Sequence, residues 1–463
     1  MNSTPTHTLQ SAASAWSSSC TAQPLPKLRD PGVPTNLVRL AALLLGVAVL
    51  PNLHAAETLL LKARAVHTVS GDTLQPGEIL IEDGLIIDVG SHLEQGDAKV
   101  VDLGNLQLFP GIIAADTVLG LVEIAAVRAS LDMREVGDYT PDVRSWLSVN
   151  PDSELIPVAR ANGITHFQPV PQGGIVRGQS GLLATAGWTP EDMTVRAGVG
   201  LHLSWPDNTL DTTPKSAARD ASAWKSLEDQ DTARRARIKA IDDFFDEAET
   251  FARALPHSQT TPIPAWEAMV PAVSGTMPIF VHADEAGQIR KAMEWAGRRK
   301  YPIVLTGARD AWMLAEEIGK AGIPVIYDHT FTLPPRDSAD YDVQFKAPSI
   351  LHTHGVKVIF SQTAGMEGAD VRNLPYEAAQ AVAFGLPEAE ALKGITLYPA
   401  DILGVATRLG SIEKGKEASL IAVDGHLLDL RSQVKHMWIA GRETILESRH
   451  TRLYQKYRAR PKP

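Results

Sequence analysis

Between about residues 110 and 404 the sequence alternates apolar runs with amphipathic helical patterns, and this alternation constrains the fold more than any other feature. The apolar runs are nearly continuous, which is typical of parallel strands buried on both faces, and the helical patterns between them predict crossover connections. Eight such units predict a closed (β/α)8 barrel, the TIM-barrel form of the α/β class. The predicted strands are GIIAAD, GITHFQPV, GLLATA, VGLHLSW, MPIFVHA, YPIVLT, GIPVIYD and VKVIFS, which begin at Gly111, Gly163, Gly181, Val199, Met277, Tyr301, Gly322 and Val356.

The segments on either side of this region have a different pattern. Residues 57–109 and 405–463 contain short strands in which Val, Ile and Leu alternate with polar residues, separated by Gly-Asp and Asp-Gly pairs. We therefore expect one small β-sandwich formed from both ends of the mature chain, with the barrel at 110–404 between them.

One stretch inside the barrel region, at about residues 207–264, breaks the alternation. Its charged composition and helical period predict an inserted amphipathic helix that packs on the barrel through one apolar face. The residues predicted to share that face are Ile238, Ile241, Phe245, Ala248 and Leu255.

The first 56 residues have the features of a leader. A basic flank, the apolar run at 40–50 and the small residues Ala55 and Ala56 predict a secretory signal peptide, because the run is too short to cross a bilayer as a helix. We therefore expect a periplasmic or secreted protein without a stable membrane span after cleavage. The alternative is an uncleaved anchor at 40–50 in the inner membrane. Cys20 is the only cysteine, which excludes an intrachain disulfide and a Cys-rich zinc site.

The net charge of the chain indicates which class of partner it can bind. Lys and Arg number 44 against 54 Asp and Glu, so the formal net charge is −10. A duplex-binding protein carries a basic surface, so we expect no nucleic-acid partner. A small-molecule ligand or substrate is the expected partner of a barrel of this kind, because such barrels bind at the carboxyl ends of their strands.

Two blocks of sequence resemble the amidohydrolase superfamily, particularly its periplasmic imidazolonepropionase-like members. LFPGII at 108–113 resembles the family's entry into the first barrel strand, and the block from Leu374 to Gly425 resembles its last helix and the return to the sandwich. The resemblance implies the barrel and sandwich together. It also implies hydrolysis of a non-peptide carbon–nitrogen bond, of the cyclic amide type, assisted by zinc or another divalent metal.

The family's metal ligands follow the barrel strands, and the resemblance carries them onto this sequence one position at a time. The His-x-His pair after the first strand falls on Asp116 and Val118, of which only Asp116 has an oxygen donor. The fourth strand offers His202 where the family has a lysine or glutamate. The fifth strand keeps a histidine, His282.

The remaining two ligand positions are not retained. Thr306 and Gly307 stand where the sixth strand should supply a histidine, and Ser361, Gln362 and Thr363 stand where the eighth should supply an aspartate. A catalytic zinc needs about three protein ligands. Since His282 and Asp116 alone remain as metal-ligand candidates, the resemblance implies a degenerate metal site that cannot hold two ions.

A different site at the same end of the barrel is the alternative. Three imidazoles and a carboxylate would suit an altered mononuclear zinc or iron site around His282. The candidate pocket residues at strand ends are Asp116, His166, His202, His282 and His329. The glycine-rich loop at 171–181 would bring Arg177 and Gln179 against an anionic substrate, or it is a tight structural loop.

The sequence leaves two classes of function open. The first is a hydrolase of non-peptide carbon–nitrogen bonds of the amidohydrolase type, for which an altered mononuclear site around His282 is a further possibility. The second is a catalytically inactive binding protein, a pseudoenzyme that keeps the family's pocket and holds no metal. Metal analysis of the purified protein would separate these two, because near-stoichiometric zinc, iron or manganese favours the enzyme with the altered site and a metal-free folded protein favours the binding protein.

Overall fold

The structure, a computed structural model, describes residues 58–255, 262–362 and 368–461. The predicted leader at 1–56, the alternative anchor at 40–50 and Thr363 lie outside the described residues. Within the described part, no helix combines the length and apolar character that a membrane span requires.

Two sheets outside the barrel form the predicted β-sandwich. Their strands are β1 (Thr58–Ala63), β2 (Ala65–His67), β3 (Thr73–Leu74), β4 (Gly77–Glu82), β5 (Leu85–Gly90), β6 (Lys99–Asp102) and β7 (Gln107–Pro110), followed after the barrel by β16 (Leu420–Val423), β17 (Val434–Ile439) and β18 (Arg442–Glu443). The strand orders are β5-β4-β1-β6 and β18-β17-β16-β7-β2-β3. Because β16 pairs antiparallel with β7, the second sheet joins segments from before and after the barrel, as expected.

The barrel contains eight strands in chain order. They are β8 (Ile112–Thr117), β9 (Ile164–Pro169), β10 (Val176–Ala184), β11 (Thr194–Ser204), β12 (Ile279–Ala283), β13 (Ile303–Gly307), β14 (Val325–Tyr327) and β15 (Val358–Phe360). Where β15 returns to β8, the Ser361 hydroxyl donates a hydrogen bond to the Asp116 carbonyl at 2.7 Å. The predicted TIM-barrel fold is confirmed, and each predicted strand overlaps an observed one.

One strand differs from the predicted set of eight parallel strands. β10 pairs antiparallel with both β9 and β11, so residues 170–175 are a hairpin connection rather than a crossover. The strand also begins at Val176 instead of Gly181, so the second half of the segment predicted as a loop is strand. As a consequence, the start of β10 lies beside the carboxyl end of β11, and Val176 pairs with Leu203.

Eleven helices are described around these sheets. They are α1 (Leu155–Arg160), α2 (Pro190–Met193), α3 (Leu227–Ala254), α4 (Pro264–Val273), α5 (Ala286–Arg299), α6 (Ala315–Ala321), α7 (Val343–Thr353), α8 (Leu374–Ala383), α9 (Glu388–Ile395), α10 (Leu397–Ile402) and α11 (Arg449–Arg458).

The inserted helix α3 packs as its apolar period predicts. Its side chains Ile241, Phe245 and Ala248 are fully buried, and the Phe245 ring lies 4.9 Å from the Trp295 ring of α5. The prediction is wrong for Leu255, which is 38% exposed. Leu255 is the C-cap of α3, one residue past the point at which the helix ends, so it is not held against the barrel.

The interior of the barrel is filled by apolar side chains, as in other barrels of this type. The side chains that form this core are Ile113, Ala115, Leu182, Val199, Phe280, Val304, Ile326 and Ile359, together with Ala400, Leu403, Val405 and Leu409 from α10 and the segment after it. Because these residues occupy the centre, a polar cavity has room only above them, at the carboxyl ends of the strands.

A glycine in β11 tests this interior packing. A Cβ added to Gly200 would lie 2.1 Å from Cε2 of Phe280, so Gly200→Ala is expected to lower the free energy of unfolding by about 1–3 kcal/mol. Gly297 in α5 has nothing within 4 Å of such a Cβ. Gly297→Ala is therefore the matched control, and we expect it to stabilise the fold by up to about 1 kcal/mol in the same urea titration. Equal effects of the two substitutions would contradict the packing described for Phe280.

Candidate functional site

A cavity of about 280 Å³ lies at the carboxyl ends of the barrel strands. Its lining residues are Asp116, Gln172, Arg177, Ser204, Trp205, Asp207, His282, Ala283, Asp284, Gln288, Thr306, Gly307 and Asp328. Polar groups predominate in this set, and it contains four carboxylates and one guanidinium. The cavity is therefore suited to a small polar molecule.

Arg177 is the cation of the cavity. It lies at the start of β10, where its Nε donates to the Ser204 hydroxyl at 2.6 Å and its Nη1 donates to Gln172 Oε1 at 3.2 Å. Burial lowers the pKa of Arg177, while the nearby Asp116 and Asp284 act in the opposite direction. A guanidinium keeps its charge inside proteins, so Arg177 places a fixed positive charge here.

A chain of side-chain contacts crosses four neighbouring strands and ends at the cavity. Gln168 Nε2 donates to the Ser180 hydroxyl at 2.9 Å, and this hydroxyl lies 2.7 Å from His202 Nε2. His202 Nδ1 lies 3.0 Å from His282 Nε2. Burial is the largest cause that holds the pKa of both histidines well below the usual range, and the positive charge of Arg177 is the second. Both imidazoles are therefore neutral at pH 7. One imidazole then donates and the other accepts, which fixes the orientation of His282.

A third histidine, His329, connects two carboxylates of the cavity wall. His329 Nε2 lies 3.0 Å from Oδ1 of Asp284 and 3.0 Å from Oδ1 of Asp328. Burial acts to lower the pKa of His329, but the hydrogen bond to Asp284 and the charge of Asp328 outweigh it, and the pKa is raised. For Asp284, burial acts to raise the pKa, but His329 and the Arg309 backbone N–H outweigh it, and the pKa is lowered. The pair therefore favours a charged imidazolium beside a carboxylate.

Asp116 lies near the end of β8 in an unusual backbone conformation. Its φ is +50°, in the left-handed region, and its side chain is buried. The backbone N–H of Asp116 donates to Gln168 Oε1 at 3.1 Å, and its carbonyl accepts the Ser361 hydrogen bond already described. Aspartate tolerates this conformation better than most residues, and such outliers concentrate at functional sites.

Two residues predicted from sequence lie away from the cavity lining. His166 is the third residue of β9, fully enclosed, and burial followed by the charge of Arg408 lowers its pKa to about 3. The Gln179 amide donates to the Ala268 carbonyl of α4 at 2.8 Å, so its side chain faces the helix layer. The cavity lining thus includes Asp116, Arg177 and His282, while His202 and His329 are each one contact away.

Several lining residues were not predicted from sequence. Asp284 follows His282 by two residues in HADE, and its position directly after a strand was the signal that could have identified it. Gln172 and Ser204 hold Arg177, but their proximity depends on the antiparallel direction of β10. Nothing in the periodicity of the sequence shows that direction.

A family model describes more than half of the chain. The model of the Amidohydrolase family matches residues 199–444. The chain belongs to the amidohydrolase family. The matched region begins in β11 and ends after β18, so it includes the strands that carry His202, His282 and the neutral residue Thr306.

Individual relatives agree with this assignment. The amidohydrolase tasK of Hapsidospora irregularis is 22% identical in an alignment 395 residues long that covers 79% of this chain, and the chain spans 39% of that relative's length. The crystal structure of an amidohydrolase from Thermotoga maritima MSB8 is 25% identical with a TM-score of 0.73, covering 84% of this chain and 99% of the other. A further amidohydrolase crystal structure, 19% identical with a TM-score of 0.50, covers the same shares and supports the fold alone.

The residues at the positions that the resemblance assigns to metal ligands can be compared with what a metal needs. Val118 is buried and apolar, and Thr306 is a buried neutral residue beside the cavity. Within the described ranges 58–255, 262–362 and 368–461, no group of three or more His, Cys, Asp or Glu side chains is arranged to hold a metal ion. His282 and Asp116, the predicted metal candidates, share the cavity with the Arg177 guanidinium.

Proposed function

We propose that this amidohydrolase-family protein binds a small polar molecule at the barrel mouth and does not carry out the family's two-metal hydrolysis. The observation that carries the proposal is the position of Arg177, whose guanidinium lines the same cavity as Asp116 and His282. Arg177 interacts electrostatically with both Asp116 and His282, so its fixed positive charge disfavours a divalent cation at these two side chains, because like charges repel each other strongly where water is scarce.

The donor set supports the same conclusion. His202 and His282 direct one nitrogen each toward the other at 3.0 Å, so that contact must be broken before either nitrogen can bind a metal. Val118 and Thr306 stand at two positions where the resemblance expects histidines. A catalytic zinc site needs about three ligands with an open fourth position, and these residues do not fit a pair of metal ions.

The charges of the lining favour a particular class of ligand. Four carboxylates, from Asp116, Asp207, Asp284 and Asp328, line the cavity with Arg177. His329, which contacts two of these aspartates, adds a second positive charge when protonated. The remaining negative charge attracts a cationic group such as an ammonium, while Arg177 can pair with a carboxylate or carbonyl oxygen of the same molecule. We therefore propose an amine-bearing small molecule as the ligand.

Metal retention is the first test of the proposal. Protein that has been treated with a chelator, incubated with zinc or manganese and desalted is expected to retain far less than one equivalent of metal by elemental analysis. Arg177→Met removes the competing cation and leaves the carboxylates, so metal retention should increase in this variant. Stoichiometric metal in the unaltered protein, lost in His282→Ala, would instead establish the altered mononuclear site.

Ligand binding is the second test, with amino acids, small amines and cyclic amides as probes in thermal unfolding. A bound probe at about one hundred times its Kd adds about 2.7 kcal/mol to the free energy of unfolding. We expect amine-bearing probes to stabilise the protein and Asp284→Asn to abolish that effect. If only uncharged cyclic amides stabilise it, the proposed ligand class is wrong.

Metal-independent hydrolysis of a non-peptide carbon–nitrogen bond is the second candidate function. The hydrogen-bonded pair of Asp284 and His329 favours it, because a carboxylate that orients an imidazole is a common acid–base arrangement. Release of ammonia or ring opening of a cyclic amide probe, insensitive to chelators and absent in His329→Asn, would support this function over pure binding.

We further propose that the protein is exported to the periplasm or secreted. The basic flank, the short apolar run at 40–50 and the small residues at 55–56 support cleavage. N-terminal sequencing of the protein from cell fractions tests this. A new N-terminus near residue 56 in the exported fraction supports export with cleavage, whereas an intact leader in the membrane fraction supports the anchor.

A further inference from the structure

The last described helix, α11, differs in its exposure from the ten other α-helices of the described residues, each of which has at least one buried residue. It spans Arg449–Arg458 and is stabilised at its start by reciprocal hydrogen bonds between Ser448 and Thr451, a capping box. None of its residues is buried. Packing therefore does not explain the apolar residues that it carries.

The charge of this segment is opposite to that of the chain. Residues 449–463 contain six Lys or Arg residues and no Asp or Glu, in a protein whose net charge is −10. The cationic positions are Arg449, Arg452, Lys456, Arg458, Arg460 and Lys462. A concentrated block of positive charge of this kind attracts an anionic surface.

The apolar residues of α11 lie on a single face. At about 100° per residue, Leu453, Tyr454 and Tyr457 fall within one third of the helix circumference. They are 37%, 65% and 63% exposed. Lys456 and Arg458 follow at the two edges of this face, so the cations flank the aromatic rings.

The opposite side of the helix fixes its orientation. Arg452 Nη2 donates to Oε1 and Oε2 of Glu154 at 3.1 and 3.2 Å, next to the start of α1. Because Arg452 lies nearly opposite Tyr454 and Tyr457 around the helix, this contact directs the aromatic face away from its attachment point.

From these observations we propose that α11 is a peripheral membrane-binding helix that lies on an anionic phospholipid surface. Tyrosine and leucine side chains enter the headgroup region, while flanking Lys and Arg pair with lipid phosphates. A nucleic acid would use the cations, but a duplex offers no apolar layer for Leu453 and the two tyrosines. The surface lies outside the cavity, so this inference is independent of the proposed function.

Vesicle sedimentation of the full chain tests this proposal, with phosphatidylcholine vesicles compared with vesicles that also contain phosphatidylglycerol. We expect binding to the anionic vesicles that weakens with salt. Arg449→Gln, Lys456→Gln and Arg458→Gln together should lower the partition coefficient at least about tenfold, and Tyr454→Ala with Tyr457→Ala should also lower it.

A control variant with the same change in net charge shows whether the effect belongs to α11 or to the total charge of the protein. Lys99, Arg219 and Lys414 are exposed elsewhere, and replacing all three with Gln should leave the partition coefficient within about twofold.

Unchanged binding by the helix variants, or equal binding to both vesicle types, would overturn the proposal. Loss of binding to a single-stranded oligonucleotide in the same variants, without loss of vesicle binding, would assign α11 to nucleic acid instead. Because every altered side chain is exposed, circular dichroism should show an unchanged fold.

Discussion

Replacing Glu377 with glutamine is expected to raise the free energy of unfolding at pH 9 by on the order of 4 kcal/mol and to change it little at pH 4. Glu377 belongs to α8, and its side chain is fully buried. Burial raises its pKa to about 8, with a further raising contribution from the charge of Asp328 and an opposing one from the nearby Thr330 side chain. Glutamine has nearly the same shape and carries no charge at any pH.

The sign of this change in stability follows from the number of protons bound by the folded and the unfolded chain. In the unfolded chain a glutamate titrates near 4.5, whereas folded Glu377 keeps its proton to about pH 8. Between these values unfolding releases a proton, so the stability of the unaltered protein falls by about 1.4 kcal/mol per pH unit and then levels off above pH 8. The glutamine variant lacks this loss.

Urea titrations from pH 4 to pH 9 measure the difference directly. Glu294→Gln, on the exposed side of α5, is the control and should follow the unaltered protein at every pH. A constant difference between Glu377→Gln and the unaltered protein across this range would show that the buried carboxyl does not hold its proton.

The second large effect is expected at the inserted helix. Phe245→Ala should lower the free energy of unfolding by about 3–5 kcal/mol, because the ring is fully buried and the barrel can collapse only partly around the vacancy. Besides Trp295, the Phe245 ring contacts the Tyr301 ring at 5.7 Å. Its removal therefore loosens α3 from both α5 and the start of β13.

Leu255→Ala is the matched control for this substitution. Leu255 shares the same apolar period in the sequence but is 38% exposed, so we expect a loss below about 0.5 kcal/mol. Equal losses at Phe245 and Leu255, measured by urea unfolding, would mean that the whole predicted face is buried.

The barrel strands were predictable because a buried strand needs a run of apolar residues, and most of these runs have a glycine or a proline at or next to their first residue. GITHFQPV and YPIVLT illustrate this, since β9 lies inside the first and β13 begins inside the second and ends one residue after it. The sandwich was predictable for a related reason, because alternating residues at both ends require a shared apolar layer. Periodicity does not show the direction of a strand, so the reversal of β10 was missed.

The site was less predictable because its geometry depends on contacts between distant residues. His282 could be placed by the resemblance, but its contact with His202 depends on the register of β11 against β12. Arg177 was predicted to lie at the barrel mouth as part of a loop. It does lie there, but as a residue of β10, because this strand runs in the reverse direction and begins at the mouth. Gln179, two residues later, faces α4 since the register shifts between Val176 and Gly178.

The reversed strand has a consequence for how this barrel could change its chemistry. In a regular barrel, the second and third strands are joined through a helix that packs on the outside of the barrel. A change in the loop between these strands therefore also affects that helix. Here only the six-residue hairpin at 170–175 separates β9 from β10 at the rim. Insertions or exchanges in that short link can therefore reshape the entrance while the surrounding helices stay in place, which makes it the natural starting point for redesigning what this protein admits.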